Sequence, residues 1–242
     1  MRWNSRGPGY HPNVSPTFAP IPNLKAVTFD VGATLIRSWP SVGQVYAETA
    51  ARHGLGHLTA ELLEARFRIA WSRQLHFNES RSGWEQLVDE AFAGLAQIPP
   101  SRSFFPELYE RFAEPDVWRI FDDVPPVLEG LSAAGFRLAV ISNWDERLRD
   151  LLRRLHLDSH FEAIVVSCEV GHRKPDRAIF DEAARQLGLP AGQILHIGDS
   201  TEMDLMGARN AGFHALRIDR AATEPGADHL CSMLELLERL RR

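Results

Sequence analysis

From residue 25 onward the chain alternates two hydrophobic patterns. Short runs rich in Val, Ile and Leu near 25–30, 137–142, 162–167, 193–198 and 213–218 predict strands buried on both faces. Between or after them, apolar residues at helical spacing predict helices near 124–134, 145–156, 176–187, 202–211 and 231–241. The punctuation agrees. Asp145 suits an N-cap, Pro125 and Pro126 suit a first turn, and Gly135, Gly188 and Gly212 stand where helices should stop. Strand–helix alternation of this kind predicts an α/β fold, a Rossmann-like parallel sheet with helices on both faces.

Residues 38–120 break the alternation. They hold no convincing strand, but helical periodicity recurs over 41–53, 59–76, 83–98 and 103–113, with Ser82-x-x-Glu85 resembling a capping box. Such a block, entered straight after the first strand, predicts an all-helical cap over the strand ends. The expected organisation is therefore a core of 23–37 and 121–242 with a cap of 38–120. Residues 1–22, punctuated by Pro8, Pro12, Pro16, Pro20 and Pro22, read as an extended or disordered tail.

Composition narrows the class. The chain has 242 residues, 44% of them apolar and 24% charged, ordinary for a globular protein with a substantial core. Its net charge of −5 argues against a nucleic-acid partner. Cys168 and Cys231 are too few and too far apart for a disulfide framework or a zinc site. No run reaches the roughly 18 apolar residues of a membrane span, and the start lacks a secretory pattern, so a cytoplasmic location is expected. Oligomeric state is left open.

The candidate chemistry lies at the strand ends. Asp30 closes the first strand in Thr28-Phe29-Asp30-Val31-Gly32-Ala33-Thr34, and Ser142-Asn143 closes the second. Lys174, in Arg173-Lys174-Pro175, follows the third; Gly198-Asp199 and then Asp204 follow the fourth. Ligands of open α/β sheets bind at the carboxyl ends of strands. Acids gathered there repel one another unless a cation joins them, which suggests a hard divalent metal such as Mg2+. Asp30 is then a nucleophile candidate, Ser142 and the Asn143 N–H are phosphoryl-binding candidates, and Lys174 is a point charge for transferring oxygens.

Taken together, these four pieces resemble the four motifs of the haloacid dehalogenase superfamily of phosphohydrolases over about residues 24–230. The helical insertion resembles its subfamily I, and Ile141-Ser142-Asn143-Trp144-Asp145 resembles the rhythmically-expressed-gene-like branch. The resemblance implies a Mg2+-dependent phosphatase of a small phosphorylated metabolite. By that likeness Asp30 forms an aspartyl-phosphate, Ser142, Asn143 and Lys174 bind the phosphoryl group, and Asp30, the Gly32 carbonyl, Asp199 and Asp204 hold the metal. One position departs from the pattern. Family phosphatases carry a second Asp, the general acid, where this chain has Gly32.

Losing a positioned acid–base group slows a reaction about 10²- to 10⁴-fold, equivalent to roughly 3–5 kcal/mol. Three readings stay open. The substrate has a leaving group that departs as a stable anion, such as an acyl phosphate or a phenol; another residue supplies the proton; or the chain is a weakened phosphate- or metabolite-binding protein. His172, Glu169 and His76 are conceivable substitutes. Phosphonate hydrolysis in this superfamily requires a cap lysine, and residues 38–120 contain none. Haloacid dehalogenation places a Tyr at the Gly32 position and uses no metal, so the Asp199/Asp204 pair argues against it. Phe67, Trp71, Phe77, Trp84 and Phe92 read as cap core. Arg66, Arg68, Arg73 and Arg81 read as a solvated face, with one of them a candidate for an anionic substrate tail.

Overall fold

The computed structural model describes residues 21–74 and 77–240, so most of the proline-rich segment and His76 lie outside the described residues. Strand β1 (Ala26–Phe29) is wholly buried. Strands β2 (Ile36–Ser38) and β3 (Trp118–Ile120) pair antiparallel as a separate ribbon. Strands β4 (Arg137–Ser142), β5 (Ala163–Val166), β6 (Ile194–Gly198), β7 (His214–Ile218) and β8 (His229–Leu230) join β1 in a six-stranded parallel sheet. Its order is β5-β4-β1-β6-β7-β8. Phe29 of β1 lies level with Val140 of β4 and Ile197 of β6.

Helices α1 (Val42–Arg52), α2 (Ala60–Ser72), α3 (Arg81–Phe92) and α4 (Phe105–Arg111) lie in sequence between the two ribbon strands. Helices α5 (Val124–Ala133), α6 (Leu148–Arg154), α7 (Ser167–Val170), α8 (Arg177–Leu187), α9 (Gly207–Asn210) and α10 (Leu234–Leu240) accompany the sheet. Alternation along each central strand divides the core between two faces. Val27, Phe29, Leu138, Val140, Leu195 and Ile197 meet apolar residues of α5, α6 and α10. Ala26, Ala139, Ile141 and Ile194 meet Ile179, Phe180 and Leu187 of α8 and Ala208 of α9. The result is the expected three-layer α/β/α architecture. A third apolar cluster is built wholly from residues 45–117, around Tyr46, Leu63, Leu87 and Phe105.

Several elements differ from the sequence reading. Helix α3 starts two residues early: Ser80, not Ser82, is its N-cap, its hydroxyl accepting from the Gly83 N–H at 3.3 Å. A Cβ on Gly83 would overlap the Asn78 carbonyl, so glycine is what lets the chain close into that turn. Asp145 does not cap α6, which begins at Leu148; its carboxylate accepts from the Arg147 backbone at 3.1 Å and pairs with the Arg147 guanidinium. The predicted helix over 202–211 opens as a π-helical turn, Thr201–Met206, before α9. The ribbon strands were not anticipated, because three residues carry too little periodicity to read.

The topology locates a crevice. From β4 the chain passes outward to β5, whereas from β6 it passes to β7 and β8 on the other side of β1. This reversal leaves an opening at the carboxyl ends of β1, β4 and β6, where open α/β sheets place their ligands.

Candidate active site

Four of the six predicted side chains form one buried contact network, built from the ends of β1 and β4, the loop before α8 and the turn after β6. Asp30 follows β1, and its amide is tied to the Ile197 carbonyl of β6 at 2.8 Å. Its Oδ1 accepts from Ser142 Oγ at 3.1 Å and from Lys174 Nζ at 2.6 Å. The same ammonium donates to Asp204 Oδ1, also at 2.6 Å. Asp30, Ser142, Lys174 and Asp204 are all buried. A buried ammonium survives only with such partners. The Asn143 side chain has a task the sequence reading did not assign: it accepts from the Lys174 amide at 2.8 Å and donates to the Lys174 carbonyl at 3.0 Å. It fixes the lysine's backbone, leaving its own N–H as the group that could meet a phosphoryl oxygen.

Asp204 is held most firmly. Its Oδ2 accepts from the Ser200 amide at 2.9 Å, within the π-helical turn. A Cβ on Gly198 would overlap the Asp204 carboxyl, so the glycine preceding Asp199 is needed for this approach. Sequence reasoning passed over His196, which is fully buried one strand position before the glycine's neighbour. Burial holds its imidazole below the usual range and therefore neutral. Asp204 is acceptor-only, so His196 Nε2–H donates to it at 3.1 Å, and Nδ1 accepts from the Thr28 hydroxyl at 2.9 Å.

Charge follows from this packing. Burial pushes the Asp204 carboxyl upward, but the Lys174 ammonium and the His196 bond outweigh it and hold it below the ordinary carboxylate range. Burial likewise works against the Lys174 ammonium, yet Asp204 and Asp30 together raise its pKa. Asp30 stays raised, because desolvation exceeds the help it takes from Lys174. Asp199 opens onto the cavity, though the surrounding walls still strip it of much solvent. That desolvation, with Asp30 and Asp204 nearby, pushes its carboxyl up to about 7.

Asp30, Asp199 and Asp204 each turn one carboxylate oxygen toward a common point, these atoms lying within 4.8 Å of one another. Three carboxylates face one ammonium, leaving excess negative charge on an all-oxygen donor set. That set fits a hard divalent cation such as Mg2+.

The network forms the floor of a cavity of about 650 Å3. Its walls come largely from the helical segment and are aromatic: Tyr46, Phe67, Trp71, Phe77 and Trp84 line it, with Trp144 beside Gly32. Of the five aromatics read as cap core, Phe67, Phe77 and Trp84 join the helical segment's apolar cluster and also face the cavity, Phe92 is core alone, and Trp71 lines the cavity but is exposed and lies outside the cluster. None of Arg66, Arg68, Arg73 and Arg81 lines it. Arg66 bonds the carbonyls of Ala91 and Ala93, and Arg68 and Arg73 pair with Glu64 and Glu90. The arginines that do line it are Arg37, Arg147 and Arg173.

The suggested substitute acids are elsewhere. His172 pairs with Asp176 at 2.8 Å and Glu169 with Arg149 at 2.6 Å, and neither lines the cavity. Glu79, which no motif or periodicity singles out, does line it. Burial raises its carboxyl despite a 2.9 Å pair with Arg173, whose guanidinium also donates to the Phe77 carbonyl. Thr34 is buried, and its hydroxyl has no partner among the described residues.

Comparison with known proteins agrees with this geometry. The family model of haloacid dehalogenase-like hydrolases matches residues 24–212. The haloacid dehalogenase-like hydrolase domain-containing protein 3 of Mus musculus is 33% identical over 89% of this chain and 95% of its own length. The Rhythmically expressed gene 2 protein of Drosophila melanogaster is 29% identical over 79% of this chain and 82% of its own. A glyceraldehyde 3-phosphate phosphatase of Methanothermobacter thermautotrophicus is 35% identical, but only over 46% of this chain and 50% of its own. Among solved structures, a 2-haloacid dehalogenase from Pseudomonas syringae pv. Tomato DC3000 superposes with a TM-score of 0.63 and 27% identity, covering 90% of this chain and 99% of that one.

Proposed function

The chain belongs to the haloacid dehalogenase-like hydrolase family, and from that premise we propose that it is a Mg2+-dependent phosphatase acting on a small phosphorylated substrate through Asp30. The observation that carries this reading is the convergence of Asp30, Ser142, Lys174, Asp199 and Asp204 at one crevice. A halide-displacing site has no use for three converging carboxylates, whereas a phosphoryl group brings the negative charge that a cation and a lysine would balance.

Asp30 is placed to attack phosphorus. Lys174 and the Ser142 hydroxyl, which now bond its Oδ1, would turn to the phosphoryl oxygens as substrate arrives. The Asn143 side chain keeps the Lys174 backbone in place during that exchange. His196 and the Ser200 amide hold Asp204 so that its remaining acceptor capacity faces the crevice. Asp30, Asp199 and Asp204, with the Gly32 carbonyl, would hold Mg2+, which lowers the repulsion between nucleophile and phosphate. The glyceraldehyde 3-phosphate phosphatase among the relatives supports the reaction class.

The test is phosphate release from acetyl phosphate, with Mg2+ present and with it chelated, in wild type and Asp30→Asn. Turnover should require both the metal and the carboxylate, and the variant should fold normally. Turnover unchanged in Asp30→Asn would end the mechanism; wild type that binds phosphate but never releases it would mark a binding protein instead.

A further inference from the structure

Resting on the phosphatase reading, we propose that the substrate is an aryl phosphate, an ester whose aromatic body fills the cavity and departs as a phenolate. Two independent observations meet here. The first is chemical. Gly32 offers no proton, and a Cβ built on it would meet the Trp144 indole at a van der Waals contact of 3.4 Å, so that ring is what flanks the position. Trp144 is held there by Trp118, with ring centroids 5.3 Å apart. Of the three substitutes considered from the sequence, His172 and Glu169 are bound elsewhere, and His76 is outside the described residues. Glu79 is the remaining acid of the cavity wall, and its carboxylate is occupied by Arg173.

The second observation is shape and surface. Part of the cavity wall is a cluster of rings: Trp71 and Trp84 are nearly parallel at 6.0 Å, and Phe77 meets the Trp84 ring edge-on at 4.6 Å. Against such a cluster a planar ring gains offset or edge contacts.

The step balances without an acid. An Asp30 oxygen bonds to phosphorus, the P–O bond to the ring breaks, and the electron pair leaves on the phenolate oxygen, which takes its proton from solvent. Water then attacks the phosphorus of the aspartyl-phosphate. The P–O bond to Asp30 breaks with its electron pair on the carboxylate, one proton of the water passes to solvent, and the other stays on the inorganic phosphate. In the first step, the one that kcat/KM reads, the absent acid therefore matters only for leaving groups that cannot depart unprotonated.

Three substrates separate the contributions under saturating Mg2+. Phenyl phosphate has both the ring and a tolerable leaving group, benzyl phosphate has the ring but an alkoxide leaving group, and acetyl phosphate needs neither acid nor ring. For phenyl phosphate kcat/KM should exceed that for benzyl phosphate by about 10²- to 10⁴-fold, the value of one missing general acid. Benzyl phosphate should nonetheless inhibit phenyl phosphate hydrolysis with an inhibition constant near the phenyl phosphate KM. Benzyl or sugar phosphates hydrolysed within about tenfold of phenyl phosphate would overturn the proposal, and loss of that activity in Glu79→Gln would then identify the proton donor. Acetyl phosphate turned over through Asp30 while phenyl phosphate is neither bound nor cleaved would overturn it and leave the phosphatase reading standing. Silence with all three would remove both.

Discussion

Asp199 carries the residue-scale consequence of gathering acids in a walled crevice. Its carboxyl is pushed up to about 7 by desolvation and by Asp30 and Asp204. A metal ligand must be deprotonated, so Mg2+ affinity measured by calorimetry should fall about tenfold for each pH unit below about 7. Without metal the sign reverses. The folded protein keeps the Asp199 proton up to about 7, whereas the unfolded chain releases it near 3.8. Its contribution to stability therefore declines as pH rises between those values. Wild type should lose stability relative to Asp199→Asn between about pH 4 and 7, read from urea unfolding; a constant difference would mean that the group titrates normally. Lys174, whose ammonium donates to both Asp30 and Asp204, is the opposite case, a buried charge kept by geometry.

At the scale of elements, Arg173 joins the helical segment to the loop that carries Lys174. Its guanidinium holds the Glu79 carboxylate and the Phe77 carbonyl, just ahead of α3. Arg173→Ala leaves Glu79 buried without its partner, which costs about 1–3 kcal/mol. Hydrogen exchange over residues 77–83 should quicken, while the amides of β1 and β6 keep their protection. Exchange unchanged over 77–83 would show that the aromatic contacts of Phe77 alone secure the loop. The π-helical turn after β6 belongs to this scale too. Its widened backbone, opened by the Ser200 side chain accepting from the Met203 N–H at 3.2 Å, brings Asp204 back against Gly198.

Across the whole molecule, Asp123 closes the fold on itself. One carboxylate oxygen takes bonds from Arg220 at 3.0 Å, Ser232 at 2.9 Å and the Met233 amide at 2.8 Å. Arg220 in turn donates to the Thr34 carbonyl at 2.8 Å, four residues past Asp30. The C-terminal segment, the start of α5 and the loop after β1 are thereby tied at one point. Asp123→Ala should lower the unfolding free energy by about 2 kcal/mol, the range for losing hydrogen bonds to a charged, half-buried group. A loss below about 1 kcal/mol would show that the apolar contacts of α10 suffice.

The sequence by itself determined five of the sheet's six described strands and the chemistry at their ends; β8, two residues long, carries no pattern to read. A buried parallel strand must be apolar along its length, so runs such as Ala26–Phe29 and Ile194–Gly198 were legible, and the residues that follow them stand at the crevice by topology. The position of Gly32 is likewise a matter of motif spacing. What the tertiary structure alone decided is everything that depends on distant residues meeting. Thr28, His196 and Asp204 form one chain of bonds although 168 residues separate the first pair. Asn143 clamps Lys174 across 31 residues. Glu79 reaches the cavity from a stretch with no periodicity of its own, and Trp144 covers Gly32 from another strand's end. Aromatics at helical spacing read alike whether they face a core or a cavity, because periodicity reports which side of a helix is apolar and not what lies opposite it.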